Sequence, residues 1–162
     1  NVRRKVLVLQ EPDDPASCLE SCASVFFWAA PEGVFGGYLH REGEGVMAVP
    51  HDGGELCSPD TVYRTVTPDD VDEVASFFAK RIPGAKGSLL KAKVCLYTTT
   101  PDGHFVVDRH RDHANLVYAA GFNGHGFKFA PVIGESLTDL ALDGSTINPI
   151  GFLAASRFAE GA

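Results

Sequence analysis

The sequence predicts an α+β fold: a mixed, largely antiparallel sheet with helices on one face, followed by a strand–glycine turn–helix segment of a different kind. Three observations predict it. Short β-rich runs separated by turn residues occupy positions 5–50. A strongly capped helix signal begins at Thr67. Gly121, Gly124 and Gly126 then stand between a short apolar strand and a second amphipathic helix.

Taken in order, residues 5–9 alternate charge with Val and Leu and read as a strand, and residues 13–15 form a turn. The segment from Cys18 is too mixed to assign. Val25–Ala30 is rich in β-formers and reads as a buried strand, with Trp28, Phe26 and Phe27 as sheet core. Pro31-Glu32-Gly33 supplies turn chemistry before a strand over 34–39. Gly43 and Gly45 punctuate before Val46–Pro50, so antiparallel pairing is expected. Thr67-Pro68-Asp69-Asp70 then combines a cap, a first-turn proline and acids at the positive end of the helix dipole. Val71, Val74, Ala75, Phe78 and Ile82 continue at helical spacing, predicting a helix over 68–82 that ends at Pro83-Gly84. The acids Asp69, Asp70, Asp72 and Glu73 read as its solvated start. Strands follow over 92–98, 104–109 and 116–120, and Ile133, Leu137, Leu140 and Ala141 mark one face of a helix over 129–142.

The chain has 162 residues, 14 basic and 21 acidic groups and a net charge of −7. That length suits one domain or a little more, by the prior of about 100–200 residues per domain. With 44% hydrophobic and 22% charged residues, the composition excludes a disordered chain. The acidic balance argues against a nucleic-acid partner. The longest apolar run, Val25–Ala30, is far short of the roughly 20 residues that span a bilayer, so no membrane partner is expected. Four cysteines, Cys18, Cys22, Cys57 and Cys95, make no disulfide framework at this size and point to reduced thiols in the cytoplasm. Cys18 and Cys22 lack a second pair at finger-like spacing, and His110 and His113 read as a polar turn, so no metal is expected.

Gly121-Phe122-Asn123-Gly124-His125-Gly126-Phe127-Lys128-Phe129 is the most informative stretch. Its glycines let another group approach the backbone, and the following helix directs free amides toward that group, which favours an anion or an electron-rich edge. His125 and Lys128 add donors. On spacing alone the stretch reads equally well as a glycine-rich turn with a solvated lysine. Cys95, in a strand, reads on its own as a small buried hydrophobe.

Val94-Cys95-Leu96-Tyr97-Thr98, Pro101-Asp102-Gly103-His104-Phe105-Val106-Val107-Asp108 and Ala119-Ala120-Gly121 through Ala130-Pro131 occur in one order. Together they resemble the C-terminal part of the monomeric sarcosine oxidase and N-methyltryptophan oxidase family of FAD-dependent amine oxidases. The resemblance runs from about residue 5 to the end and is strongest over 93–142. It implies a parent enzyme that oxidises the C–N bond of a secondary or N-methyl amino acid, with flavin as hydride acceptor and peroxide as product. It further implies a thioether from Cys95 to the flavin, and Gly124, His125, Gly126, Phe127 and Lys128 at the flavin. Lys128 would hold the substrate carboxylate, with Tyr97 and His51 bordering the substrate pocket.

Two departures qualify the implication. A lysine that promotes reaction with oxygen falls on Met47, which brings in the alternative of a dehydrogenase with another electron acceptor. An aromatic over the substrate falls on Gly36, which would enlarge the pocket. The family's Gly-x-Gly-x-x-Gly unit is absent, so the resemblance makes residues 1–110 a substrate domain and 111–162 a flavin-facing segment of an FAD domain. The N-terminal FAD-binding half would lie upstream of Asn1, and the fragment alone would be inactive. A binding domain that kept the fold and lost the flavin is the alternative from another class.

Overall fold

The computed structural model describes residues 2–14, 25–39 and 45–158. Cys18, Cys22 and the turn at Gly43 lie outside the described residues. The chain divides into two compact units, Arg3–Leu96 and Tyr97–Ala162, the latter also taking in Asn1–Val2.

The first unit is built on β1 (Val2–Gln10), β2 (Val25–Ala30), β3 (Gly33–Leu39), β4 (Val46–Pro50), β5 (Leu56–Cys57) and β6 (Leu89–Thr98). These form one sheet in the order β2-β3-β4-β1-β5, with β6 also on β1. The β2–β3, β3–β4 and β4–β1 pairs are antiparallel, with Trp28 opposite Phe35, Gly37 opposite Ala48, and Ala48 opposite Val8. The α+β expectation is thus borne out. The two-residue β5 carries too little alternation to be recognised from sequence.

Helix α1 (Pro68–Arg81) covers one face of the sheet with Val74, Phe77 and Phe78. The Phe77 ring stacks on Phe35 with centroids 4.1 Å apart, and Phe26 and Trp28 reach it at 6.0 and 6.4 Å. Val6, Val8, Val46 and Ala48 complete this core. A side chain at Gly37 would meet the Phe26 ring at 2.5 Å, so the residue there is glycine by close packing.

The reading of β2 as a buried strand needs correction. It is the last strand of the sheet order, and its alternate residues Val25 and Phe27 point away from α1, with Phe27 61% exposed. Three aromatics in succession hide the period of two, so the sequence does not show which of them faces the helix.

The acids at the start of α1 also differ from a uniformly solvated set. Thr67 caps the helix and forms a capping box with Asp70. Asp70 is half-buried and accepts two bonds from the Arg4 guanidinium of β1, at 2.8 and 2.9 Å. Arg4 also donates to the carbonyls of Tyr63 and Thr65, so one side chain ties β1 to the entire entry of the helix.

The second unit contains the hairpin of β7 (Val106–Arg109) and β8 (Val117–Ala120), with Val107 opposite Ala119. Helix α2 (Ala130–Leu142) packs on it, preceded by a tight turn, Phe127–Phe129. Phe105, Val107, Ile133 and Leu153 form its core. The strand expected from 104 starts only at Val106. The His104 carbonyl is taken by the Thr100 hydroxyl and Arg157, and that of Phe105 by Arg157, so neither joins the ladder.

The Arg4 guanidinium holds the Asp70 carboxyl well below the usual carboxylate range, with burial opposing it and Thr67 adding to it. A carboxyl with a lowered folded pKa contributes stability that is complete above its ordinary pKa and is lost as pH falls below it. Urea unfolding is expected to show this loss below about pH 4. At neutral pH, Asp70→Ala is expected to cost about 2–4 kcal/mol, the sum of a lost cap and an unpaired, mostly buried guanidinium. The variant is also expected to flatten the acid dependence.

Candidate functional site

Among the residues singled out from the sequence, His51 and Cys95 belong to the first unit, and Tyr97, Gly124, His125, Gly126, Phe127 and Lys128 to the second.

In the second unit the glycine-rich turn leads from β8 into α2. Gly121 and Gly124 have φ of +71° and +75°, and Asn123 has φ of +49°, a region Asn enters more readily than other non-glycine residues. A Cβ at Gly124 would overlap the Tyr97 ring, and one at Gly126 would meet the Phe122 ring at 2.6 Å. The groups that approach these two glycines are therefore rings of the chain itself. Tyr97 is buried, and the structure brings it directly against Gly124. The turn is closed by the Asn123 amide donating to the Thr98 carbonyl at 3.0 Å and the His125 amide to that of Phe122 at 3.0 Å.

The His125 ring packs against Phe105 at 5.1 Å and Phe129 at 6.1 Å. Burial, reinforced by the nearby Lys128 ammonium, pushes its pKa below the ordinary histidine value, so the imidazole is neutral at pH 7. Lys128 is exposed, with Nζ 5.3 Å from the Phe129 ring centroid, and Phe127 is 96% exposed. No Asp or Glu occurs between Gly121 and Gly134. The turn therefore offers amides, an ammonium and an imidazole with no carboxylate on its own segment.

In the first unit His51 follows β4 on the sheet face opposite α1. Its ring meets Phe27 edge-on at 4.7 Å. The Phe27 ring also lies over Gly36, where an added Cβ would sit 3.4 Å from it. The space that a glycine at 36 opens is thus held by an aromatic from the neighbouring strand. Met47, half-buried, pairs with Tyr38 and Leu9 in the same sheet. Cys95 is a half-buried free thiol on β6, with Sγ 4.0 Å from the Leu96 carbonyl. A polar cavity of about 280 Å³ in this unit is lined by Arg4, Lys5, Glu55, Asp70 and Glu73. None of the expected site residues lines it.

The sequence profile of the FAD dependent oxidoreductase family, DAO, matches residues 1–140. The chain belongs to the FAD dependent oxidoreductase family. Its DAO relatives include the monomeric sarcosine oxidase of Bacillus sp. (strain B-0618), 40% identical over 134 residues, which are 82% of this chain and 34% of that protein. The monomeric sarcosine oxidase of Streptomyces avermitilis is 48% identical over 107 residues, 65% of this chain and 28% of that protein. The chain thus spans about a third of the length of these curated relatives. The crystal structure of L-proline dehydrogenase from P. horikoshii matches with a TM-score of 0.79 at 24% identity, covering 99% of this chain and 41% of that one, which shows a shared fold.

The residues present fit the flavin that defines the DAO family. Flavin rings are electron-rich at the pyrimidine edge, and a turn with no carboxylate side chain, leading into a helix, is complementary to such an edge. Gly124, Gly126, Phe127 and Lys128 would supply the backbone donors, and His125, whose amide closes the turn onto Phe122, would lie beside them. The contacts of Phe27 with His51, of Phe105 with His125, and of Arg157 with the carbonyls of His104 and Phe105 are invisible in sequence, because the partners are distant along the chain.

Gly124→Ala combines a strained φ with overlap of the Tyr97 ring. It is expected to cost about 2–4 kcal/mol in urea unfolding. In a Tyr97→Ala background the further cost of Gly124→Ala is expected to fall to about 1 kcal/mol, because only the backbone strain remains.

Proposed function

We propose that the protein containing this chain is an FAD-dependent amine oxidoreductase that oxidises the C–N bond of a secondary or N-methyl amino acid. The observation that carries this reading is the turn from Gly121 into α2, rich in donors and free of carboxylates, with the exposed Lys128 at its end. Bound FAD supplies the two-electron acceptor for the reaction. Residues 1–110 serve as the substrate domain and residues 111–162 as the flavin-facing segment. The amides of Gly124, Gly126, Phe127 and Lys128 favour negative charge at the flavin edge, with His125 beside them, and the Lys128 ammonium binds the substrate carboxylate. The buried Tyr97 and the His51 ring border the substrate, and the exposed Phe27 ring beside His51 offers it an apolar surface. The half-buried Cys95 thiol is the point of covalent attachment. That Cys57 and Cys95 form no disulfide supports a reducing compartment, the cytoplasm. No helix among the described residues is long and apolar enough to cross a membrane.

The tether is tested by denaturing the full-length protein and reading flavin fluorescence on the polypeptide. Fluorescence that persists in the wild type and disappears in Cys95→Ala supports it, and free flavin from the wild type refutes it. Lys128→Met is expected to raise KM for a carboxylated substrate about 10–100-fold, the worth of one charge-assisted hydrogen bond. An unchanged KM would remove Lys128 from the substrate site.

Met47 favours a second reading, an amine dehydrogenase with an acceptor other than oxygen. A thioether in the middle of β4 carries no charge to favour a developing oxygen anion. Turnover with an artificial dye acceptor is then expected to exceed turnover with oxygen by at least about tenfold. Rapid peroxide formation instead would return the protein to the oxidases.

A further inference from the structure

We propose that Arg157 is a positioning residue for the glycine-rich turn, acting through the segment from Thr100 to Phe105. The proposal rests on the reading of that turn as the flavin-facing site.

The Arg157 guanidinium donates to six acceptors. Nε and Nη2 donate to the two carboxylate oxygens of Asp102 at 2.7 and 3.3 Å. Nη2 also reaches the carbonyls of His104 and Phe105, at 3.0 and 2.8 Å. Nη1 closes onto Leu153 and Ala154, at 2.8 and 3.0 Å. The side chain is mostly buried, and Leu153 anchors the same tail in the core. A planar guanidinium can hold this set at once; an ammonium cannot.

The segment that Arg157 holds touches the glycine-rich turn by three routes. The Phe105 ring packs against Phe122, His125 and Phe129, with centroids at 4.9, 5.1 and 5.3 Å. These three residues are the rings of the glycine-rich turn and of the entry to α2. The Asn123 side-chain amide donates to the Gly103 carbonyl, which steadies Asn123 at its positive φ. Thr100 presses on Gly121, where a Cβ would meet its methyl at 2.7 Å. Arg157 thus fixes a short segment whose carbonyl, methyl and ring together set where the amides of 124–128 point. Asp102 is its counterion, and the guanidinium holds that carboxyl well below the usual carboxylate range. Apart from His125, none of the residues making these contacts is assigned to flavin or substrate.

The test uses the full-length protein supplied with FAD, in Arg157→Gln, Arg157→Lys and Asp102→Asn variants. Amide hydrogen exchange is followed at 121–128 and at the far end of α2, 138–142. Exchange at 121–128 is expected to accelerate at least about tenfold in Arg157→Gln, and less in Asp102→Asn, which keeps the carbonyl bonds, while 138–142 is unchanged. Arg157→Lys keeps the charge without the fork and is expected to behave like Arg157→Gln. Equal acceleration in both segments would make Arg157 an ordinary stability residue and overturn the proposal, as would no acceleration at 121–128. Sulfite affinity, which reports stabilisation of negative charge on the flavin, is expected to weaken at least about tenfold in parallel. Accelerated exchange with unchanged sulfite affinity would leave the positioning intact and remove the turn from the flavin.

Discussion

The burial of Phe77 between α1 and the sheet is the contact on which the first unit depends. Its ring is flanked by Phe35, Phe26, Trp28 and Phe78, drawn from two strands and its own helix. Because one helix supplies this cover, one sheet face is sealed and dry, and the opposite face is left to other uses. Phe27, Gly36, Met47 and His51 all belong to that opposite face, set there by the period of two that puts Phe26, Phe35 and Ala48 against the helix. The covered face carries the core of the unit; the open face carries His51 and the other residues that the sequence singled out in this unit.

The second unit uses an aromatic node in the same way but for a different end. Phe105 is held at its carbonyl by Arg157 and contacts three rings of the glycine-rich turn. Glycine gives the turn its conformational freedom, and the packed rings of Tyr97 and Phe122 remove that freedom again. Such a turn can hold amides in one direction, which electrostatic stabilisation requires, because donors that must reorient lose much of their effect. The helix that follows has no side-chain cap; the Ala130 amide is held by the Phe127 carbonyl and that of Phe129 by Gly126, which fixes the direction of the entry.

Much of this architecture is legible in the sequence where the determinants are local. Val25–Ala30 and Val46–Pro50 have the same bounds in both readings, because turn residues fence β-branched and aromatic runs. Thr67-Pro68-Asp69-Asp70 marks the start of α1, because a cap, a proline and acids act within one turn. The glycine-rich turn stands out by composition. What escapes is non-local. Nothing near Asp70 reveals that its partner is Arg4, and nothing near residue 104 reveals that Arg157 removes two carbonyls from the strand. The sequence likewise leaves Gly36 as a gap, since the ring that fills it comes from another strand.

The bond between Arg4 and Asp70 also sets an order in time. The two residues are 66 positions apart, and β1 finds its antiparallel partner β4 only near residue 48. At a synthesis rate of about 5–20 residues per second, Arg4 leads its counterion by roughly 3–13 s. Until β4 emerges, β1 lacks that partner and is a Val- and Leu-rich strand with two arginines and a lysine near its start. Those charges keep the emerging segment hydrated until the helix arrives, so the side chain that later bolts the fold together first serves as its solubilising group.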